Sequence, residues 1–267
     1  MHKLGIIGSG NMGRAILSGI RKGKLLKERD IVCFDKDPAA LEKALGEFSV
    51  GRCKTVAELV KKSDAVLLAV KPQNLKELSE EIGGKLRDGQ TVISILAGKK
   101  VSDLTASLGS GIRVIRAMPN TPCLVGKGVT GLFASAGAGD EAKAFALKIF
   151  SSLGEAAFFD SEEMIDVVTG FTGSGPAFIF IFIEALADGG VRCGMPRDLA
   201  LQFAAAMVEG SAALVRETGI HPEQLKEMVM SPGGTTAEGV SVLERGGFRG
   251  LAIEAIRASY LKAKSIE

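Results

Sequence analysis

Through the first 160 residues, short apolar runs alternate with amphipathic segments. Residues 4–7 read as a strand, 8–13 as a glycine-rich turn and 15–21 as the helix it feeds. The next strand is 31–34, followed by a helix opening near Pro38, because proline is tolerated in a first helical turn. The unbroken apolar run 65–70 has the pattern of a strand covered on both faces. Residues 91–95 and 112–117 read as further strands, with helical patterns at 75–86 and 101–108. Residues 129–134 and 156–159 read as late strands flanking a helix around 142–153. This alternation predicts a parallel, doubly wound α/β sheet.

After Phe159 the rhythm becomes helical. The expected division is therefore 1–160, an α/β domain with a Rossmann-like sheet, and 161–267, an all-α domain. The uncharged stretch between Asp166 and Glu184 contains Gly170, Gly173, Gly175 and Pro176, so it reads as a turn followed by a buried helix. A membrane span would need about 20 consecutive apolar residues. Helix 176–187 is apolar on nearly all faces and should be buried all round; a second copy of the chain is the expected cover. Further helices are expected at 198–217 and 247–265.

Composition narrows the function. Of 267 residues 46% are hydrophobic and 24% charged, which excludes a disordered chain. Net charge is +2, aromatics are 5%, and tryptophan is absent, so neither nucleic acid nor an anionic membrane is an expected partner. The four cysteines (33, 53, 123, 193) form no C-x-x-C, and the histidines are His2 and His221 alone, so no metal site is expected. Scattered cysteines and no signal-peptide pattern point to the cytoplasm.

The strongest local chemistry is Gly8-Ser9-Gly10-Asn11-Met12-Gly13, a G-x-G-x-x-G after a strand and opening a helix. Gly8 permits the tight turn, Gly10 lets backbone approach a pyrophosphate, and Gly13 lets the helix pack closely. Asp35 ends the second strand at about the 20-residue distance where an acid meets the ribose hydroxyls. It favours NADH, while the adjacent Lys36 keeps NADPH open. Ala69-Val70-Lys71-Pro72 and the Ala97 turn end two more strands on the side where dinucleotides bind. Met118 to Pro122 forms a stiff loop there, either a site element or a rigid corner.

Ser231-Pro232-Gly233-Gly234-Thr235-Thr236 lies between helical segments. Thr235 or Thr236 suits the N-cap of the following helix. The glycines free backbone N–H groups for a carboxylate, and the hydroxyls could orient a neighbouring polar atom. An ordinary capped helix start would explain one threonine but not the whole run.

Together these pieces resemble pyrroline-5-carboxylate reductase across essentially the whole chain. The resemblance rests on GIIGSGNMG (5–13), AVKP (69–72), RAMPNTP (116–122), TGSGPAF (172–178), EALADGGV (184–191), GMPR (194–197) and HPEQLKEMVMSPGGTT (221–236). It implies a Rossmann domain and a helical dimerisation domain, a homodimer assembled in the family into pentamers of dimers, and reduction of 1-pyrroline-5-carboxylate to L-proline with NADPH or NADH. By motif, Gly8 to Gly13 would hold the pyrophosphate, and Asp35 and Lys36 the adenosine ribose. Ala69, Val70, Lys71, Pro72 and Ala97 would line the nicotinamide side. Ser231, Gly234, Thr235 and Thr236 would hold the substrate carboxylate and ring nitrogen, Val229 would pack on the ring, and Glu162, or in its place the adjacent Glu163, would approach the substrate. Thr236 is the expected catalytic position, orienting the ring nitrogen while solvent supplies the proton. Two rivals stay open. A β-hydroxyacid dehydrogenase would want a lysine on the helix 176–187, which has none. A nucleotide-binding scaffold would keep the glycine turn but have no use for SPGGTT.

Overall fold

The computed structural model describes residues 2–265. They divide into two compact units, residues 2–174 with 259–265, and residues 175–258. The first unit contains β1 (His2–Ile7), α1 (Asn11–Lys22), β2 (Ile31–Phe34), α2 (Pro38–Glu47), β3 (Gly51–Arg52) and α3 (Val56–Lys62). It continues with β4 (Ser63–Leu68), α4 (Leu75–Ile82), β5 (Thr91–Ser94), α5 (Val101–Leu108), β6 (Arg113–Pro119), β7 (Gly128–Ala134), α6 (Asp140–Ser151), β8 (Gly154–Phe158) and α7 (Glu163–Val168).

The sheet runs β3-β2-β1-β4-β5-β6-β7-β8. The first six in that order are parallel, and β7 turns antiparallel to β6. Side chains alternate along each strand, which splits the core between two faces. Leu4, Ile6, Cys33, Leu67 and Ile93 pack with Ile16, Leu17 and Ile20 of α1 and Ile149 and Phe150 of α6. Ile7, Val32, Val66, Leu68 and Val92 pack under Val56 and Leu59 of α3, Leu78 of α4 and Leu104 of α5. Emptying one such position, Leu17 for example, costs about 2–5 kcal/mol on truncation to alanine. Strand β3 and helix α3 were not expected: β3 is two residues long, and the Val56, Leu59, Val60 spacing of α3 spans less than two turns. Thr55 starts α3 by accepting the Glu58 N–H, and Glu58 in turn accepts the Lys54 N–H.

The second unit is helical: α8 (Gly175–Arg192), α9 (Arg197–Thr218), α10 (Pro222–Met228), α11 (Thr235–Arg245) and most of α12 (Phe248–Lys264). Ala187, Ala200 and Ala204 form its small buried core, and Phe182 meets Phe248 with ring centroids 5.5 Å apart. One sequence expectation changes here. The turn expected around Gly170 is a π-helical segment, Thr169–Gly173, that joins α7 to α8. Gly170 permits it by letting its backbone lie against that of Tyr260, where a Cβ would stand 2.5 Å from the Tyr260 nitrogen. The compact units part at Ser174, because Ile165 and Val168 of α7 are buried in the first unit. Within the single chain only Ala187 of helix α8 is buried, while Phe180 is 59% and Ile181 66% exposed.

Candidate functional site

The order of the strands fixes where a ligand can lie. The chain leaves β1 toward one side of the sheet and β4 toward the other, and their carboxyl ends open a crevice. The Gly8 N–H donates to Phe34 O at 2.9 Å, and the Ala69 N–H to Ile7 O at 2.8 Å, so three strand ends meet there. Gly8, Gly10, Asp35, Lys36, Ala69, Val70 and Lys71 line a cleft of about 480 Å³. Ser9, Asn11, Met12, Gly13, Pro72 and Ala97 are not part of that lining. Ser9 and Gly13 are buried, Asn11 and Met12 begin α1, Pro72 opens a short 3-10 turn, and Ala97 sits in the turn after β5.

Each motif glycine answers a different demand. Gly8 has φ +100°, and a Cβ there would stand 2.5 Å from Ala69 O. Gly13 lies against the Gly8 carbonyl, where a Cβ would come within 2.2 Å. Gly10 differs: a Cβ would meet no protein atom within 4 Å. Gly10 is the N-cap of α1, with no side-chain capping bond and no acidic residue in the first turn. The first N–H groups of a 12-residue helix are thus left for an anion.

Asp35 is tied into this turn. Its Oδ2 accepts the Ser9 N–H at 2.6 Å and the Ser9 hydroxyl at 3.0 Å, and its Oδ1 accepts the Asp37 N–H at 2.9 Å. A carboxylate offers about four acceptor positions, so about one remains for a ligand hydroxyl.

On the second unit, Gly233 (φ +68°) turns the chain, and the Gly234 N–H donates to Ser231 O at 2.9 Å. A Cβ at Gly234 would lie 2.3 Å from the Ser231 Oγ, so a larger residue there would push that hydroxyl into another rotamer. The expected threonine N-cap is corrected: Gly234 itself caps α11, and Thr235 and Thr236 are its first two helical residues. The turn carries the chain into extended backbone at Gly234, one residue earlier than a threonine cap requires. Their hydroxyls and that of Ser231 have no hydrogen-bond partner among the described residues. Val229, 65% exposed, presents an apolar surface at the end of α10.

Glu162 has partners the sequence did not announce. Its Oε1 accepts from Arg116 Nη1 and from the Val101 N–H, both at 2.7 Å, leaving only Oε2 for any substrate contact. Asp166 stands 3.9 Å from Arg116 on its other nitrogen. Arg116 could have been flagged as a lone cation in the otherwise uncharged middle of β6, where a charge needs a buried partner. Asn120, in the same motif, is likewise structural: it donates to Thr172 O at 3.0 Å and accepts the Val129 N–H at 2.9 Å.

Residues 162–266 match the family described as "Pyrroline-5-carboxylate reductase dimerisation", and residues 3–98 match "NADP oxidoreductase coenzyme F420-dependent". The pyrroline-5-carboxylate reductase of Escherichia coli (strain K12) is 42% identical over 264 residues, 99% of this chain and 98% of that one. The chain belongs to the pyrroline-5-carboxylate reductase family. The Arabidopsis thaliana reductase is 40% identical over 99% of this chain and 95% of its own. Among solved structures, the reductase of Coxiella burnetii superposes with a TM-score of 0.94 at 32% identity, covering 100% of this chain and 98% of that one. The Plasmodium falciparum enzyme, solved with NADP bound, superposes at 0.86 and 30% identity, covering 99% and 98%.

As a member of this reductase family the chain is an NAD(P)-dependent oxidoreductase of proline biosynthesis. The open helix start at Gly10 and the acceptor position left on Asp35 fit such a dinucleotide. Residues 163–192 and 197–218 form helices long and apolar enough to cross a membrane by length and composition. Both fall within the residues that match the dimerisation family.

Proposed function

We propose that the chain reduces 1-pyrroline-5-carboxylate to L-proline, the last step of proline biosynthesis, with the glycine-turn cleft as dinucleotide site and the Ser231–Thr236 turn as substrate site. The observation that carries this reading is the 42% identity to the Escherichia coli reductase over 99% of the chain, a span that takes in both sites. Gly8 to Gly13 would hold the pyrophosphate against the start of α1. Asp35 and Lys36 would face the ribose, and Ala69, Val70, Lys71, Pro72 and Ala97 the nicotinamide side. Bound there, NAD(P)H supplies the hydride. Asp35, with its fixed negative charge, favours NADH.

The turn before α11 supplies what a small cyclic imino acid needs. The N–H groups of Thr235 and Thr236, at an uncapped start, would receive the carboxylate. The Thr236 hydroxyl, without a partner among the described residues, would orient the ring nitrogen, and Ser231 would complete the grip. Val229 would cover the apolar ring edge. A protonated imine accepts hydride readily, so the protein's task is mainly to position two reactants. A threonine hydroxyl is a poor acid; the proton would come from solvent.

Assembly and location belong to the same proposal. Phe180, Ile181, Leu201 and Phe203 leave an apolar surface on α8 and α9. A second copy covers it in a homodimer, with the family's pentamer of dimers as the larger assembly. All four thiols are free, three of them buried, as suits the reducing cytoplasm. Oxidation of NADH or NADPH by the purified chain, dependent on pyrroline-5-carboxylate and yielding proline, tests the activity. Dinucleotide binding without turnover would leave a binding protein.

A further inference from the structure

Beyond Asp35, a second charged pair joins the two sides of the dinucleotide cleft. Lys36, just after β2, places its Nζ 2.8 Å from Oε2 of Glu77, in the first turn of α4. Both line the cleft, with Asp35, Asp37, Glu81 and Lys71. The charged lining is therefore four carboxylates against two ammonium groups. Asp35 is held in place by Ser9 and Asp37. Lys36 is the cation a ribose 2′-phosphate would need, and it already has a carboxylate on it.

We propose that Glu77 is a specificity-determining residue: by holding Lys36 and adding its own negative charge, it disfavours the 2′-phosphate of NADPH and leaves the rim suited to the uncharged 2′-hydroxyl of NADH. This rests on the reading of the cleft as the dinucleotide site. A 2′-phosphate brought to Lys36 must displace Glu77 or sit beside it, and like charges at that range repel. NADH asks nothing of Lys36 and is indifferent to the pair. Both partners are 57% exposed, so water screens them, and the effect should be about three- to tenfold in affinity rather than orders of magnitude.

The test is fluorescence titration of NADH and NADPH into the full-length chain, with kinetics on both cofactors alongside. Glu77→Gln keeps the size of the side chain and removes the charge. It should tighten NADPH by about three- to tenfold while leaving NADH within about twofold. Adding Lys36→Ala to Glu77→Gln should abolish that gain, because the released ammonium is what the phosphate uses. An unchanged NADPH-to-NADH affinity ratio in a folded Glu77→Gln variant overturns the inference, as does a gain that survives Lys36→Ala. Gly10→Glu separates this from failure of the site itself. The fold has room for a side chain at Gly10, and a carboxylate there would face the start of α1. If Gly10→Glu weakens both dinucleotides while Glu77→Gln moves neither ratio nor affinity, only the role of Glu77 is lost. If Gly10→Glu leaves both affinities intact, the cleft is not the dinucleotide site and the inference falls with it.

Discussion

Arg116 Nη1 lies 2.7 Å from Glu162 Oε1, and the arginine side chain is 3% exposed. The pair links the middle of β6 to the residue before α7, and through the Val101 N–H to the start of α5. It therefore anchors the end of the loop that carries Ala97.

Removing the two partners should not cost the same. Arg116→Ala leaves Glu162 and Asp166 facing each other without a cation, whereas Glu162→Ala leaves Arg116 with Asp166 at 3.9 Å. Breaking a buried pair typically costs about 3–5 kcal/mol. Arg116→Ala should approach that range, and Glu162→Ala should fall below it because Glu162 is 27% exposed and water can replace it. Urea unfolding of the two variants measures the order. Equal losses would mean that Asp166 contributes nothing.

The Thr236 hydroxyl has no hydrogen-bond partner among the described residues, so removing it should cost function and not fold. Thr236→Val should lower kcat/KM for pyrroline-5-carboxylate by about 1–3 kcal/mol in transition-state stabilisation, with NAD(P)H affinity nearly unchanged. Thr236→Ala should do no better. Steady-state kinetics with circular dichroism decides; a folded valine variant with full kcat/KM would make the hydroxyl a bystander.

Asp35→Ser removes a carboxylate that would repel a 2′-phosphate, so the NADPH-to-NADH ratio of kcat/KM should rise. Because Asp35 also holds the Ser9 and Asp37 N–H groups, the same change should loosen the glycine turn and weaken both cofactors. A ratio that stays put would remove Asp35 from the ribose.

The apolar face of α8 and α9 should keep the chain from running as a 27.9 kDa monomer. Phe180→Glu together with Phe203→Glu, both more than half exposed in the single chain, should shift the mass measured by light scattering downward. A wild-type monomer at micromolar concentration would contradict the assembly.

Burial pushes the Cys33 thiol up to about 12 and that of Cys53 to about 11, from an ordinary value of 9.0. In the native protein Cys33, Cys53 and Cys123 should resist a thiol reagent at pH 8 while exposed Cys193 is the accessible one. A raised folded value means the stabilisation is fully present below pH 9 and is lost as pH rises toward 12. Cys33→Ala should flatten that alkaline limb of a stability–pH curve; an unchanged limb would assign it to other groups.

The alternation of apolar runs and the six residues Gly8 to Gly13 already determined the doubly wound sheet and the place of its crevice. Both depend on local periodicity and on turn chemistry, which neighbouring residues carry among themselves. The Ser231 to Thr236 run was legible for the same reason, although the cap fell on Gly234 because the turn's own φ values set where the helix starts. What tertiary structure alone decided are the pairings between distant segments. Glu162 meets Arg116, Glu77 meets Lys36 and Asp35 meets Ser9 only once strands in the order β2-β1-β4-β5-β6 bring their ends together. The antiparallel turn of β7 and the π-helical segment at Thr169–Gly173 are of the same kind. A lone charge in a sequence does not name its partner, because the partner is chosen by strand order and helix packing, and no local pattern encodes those.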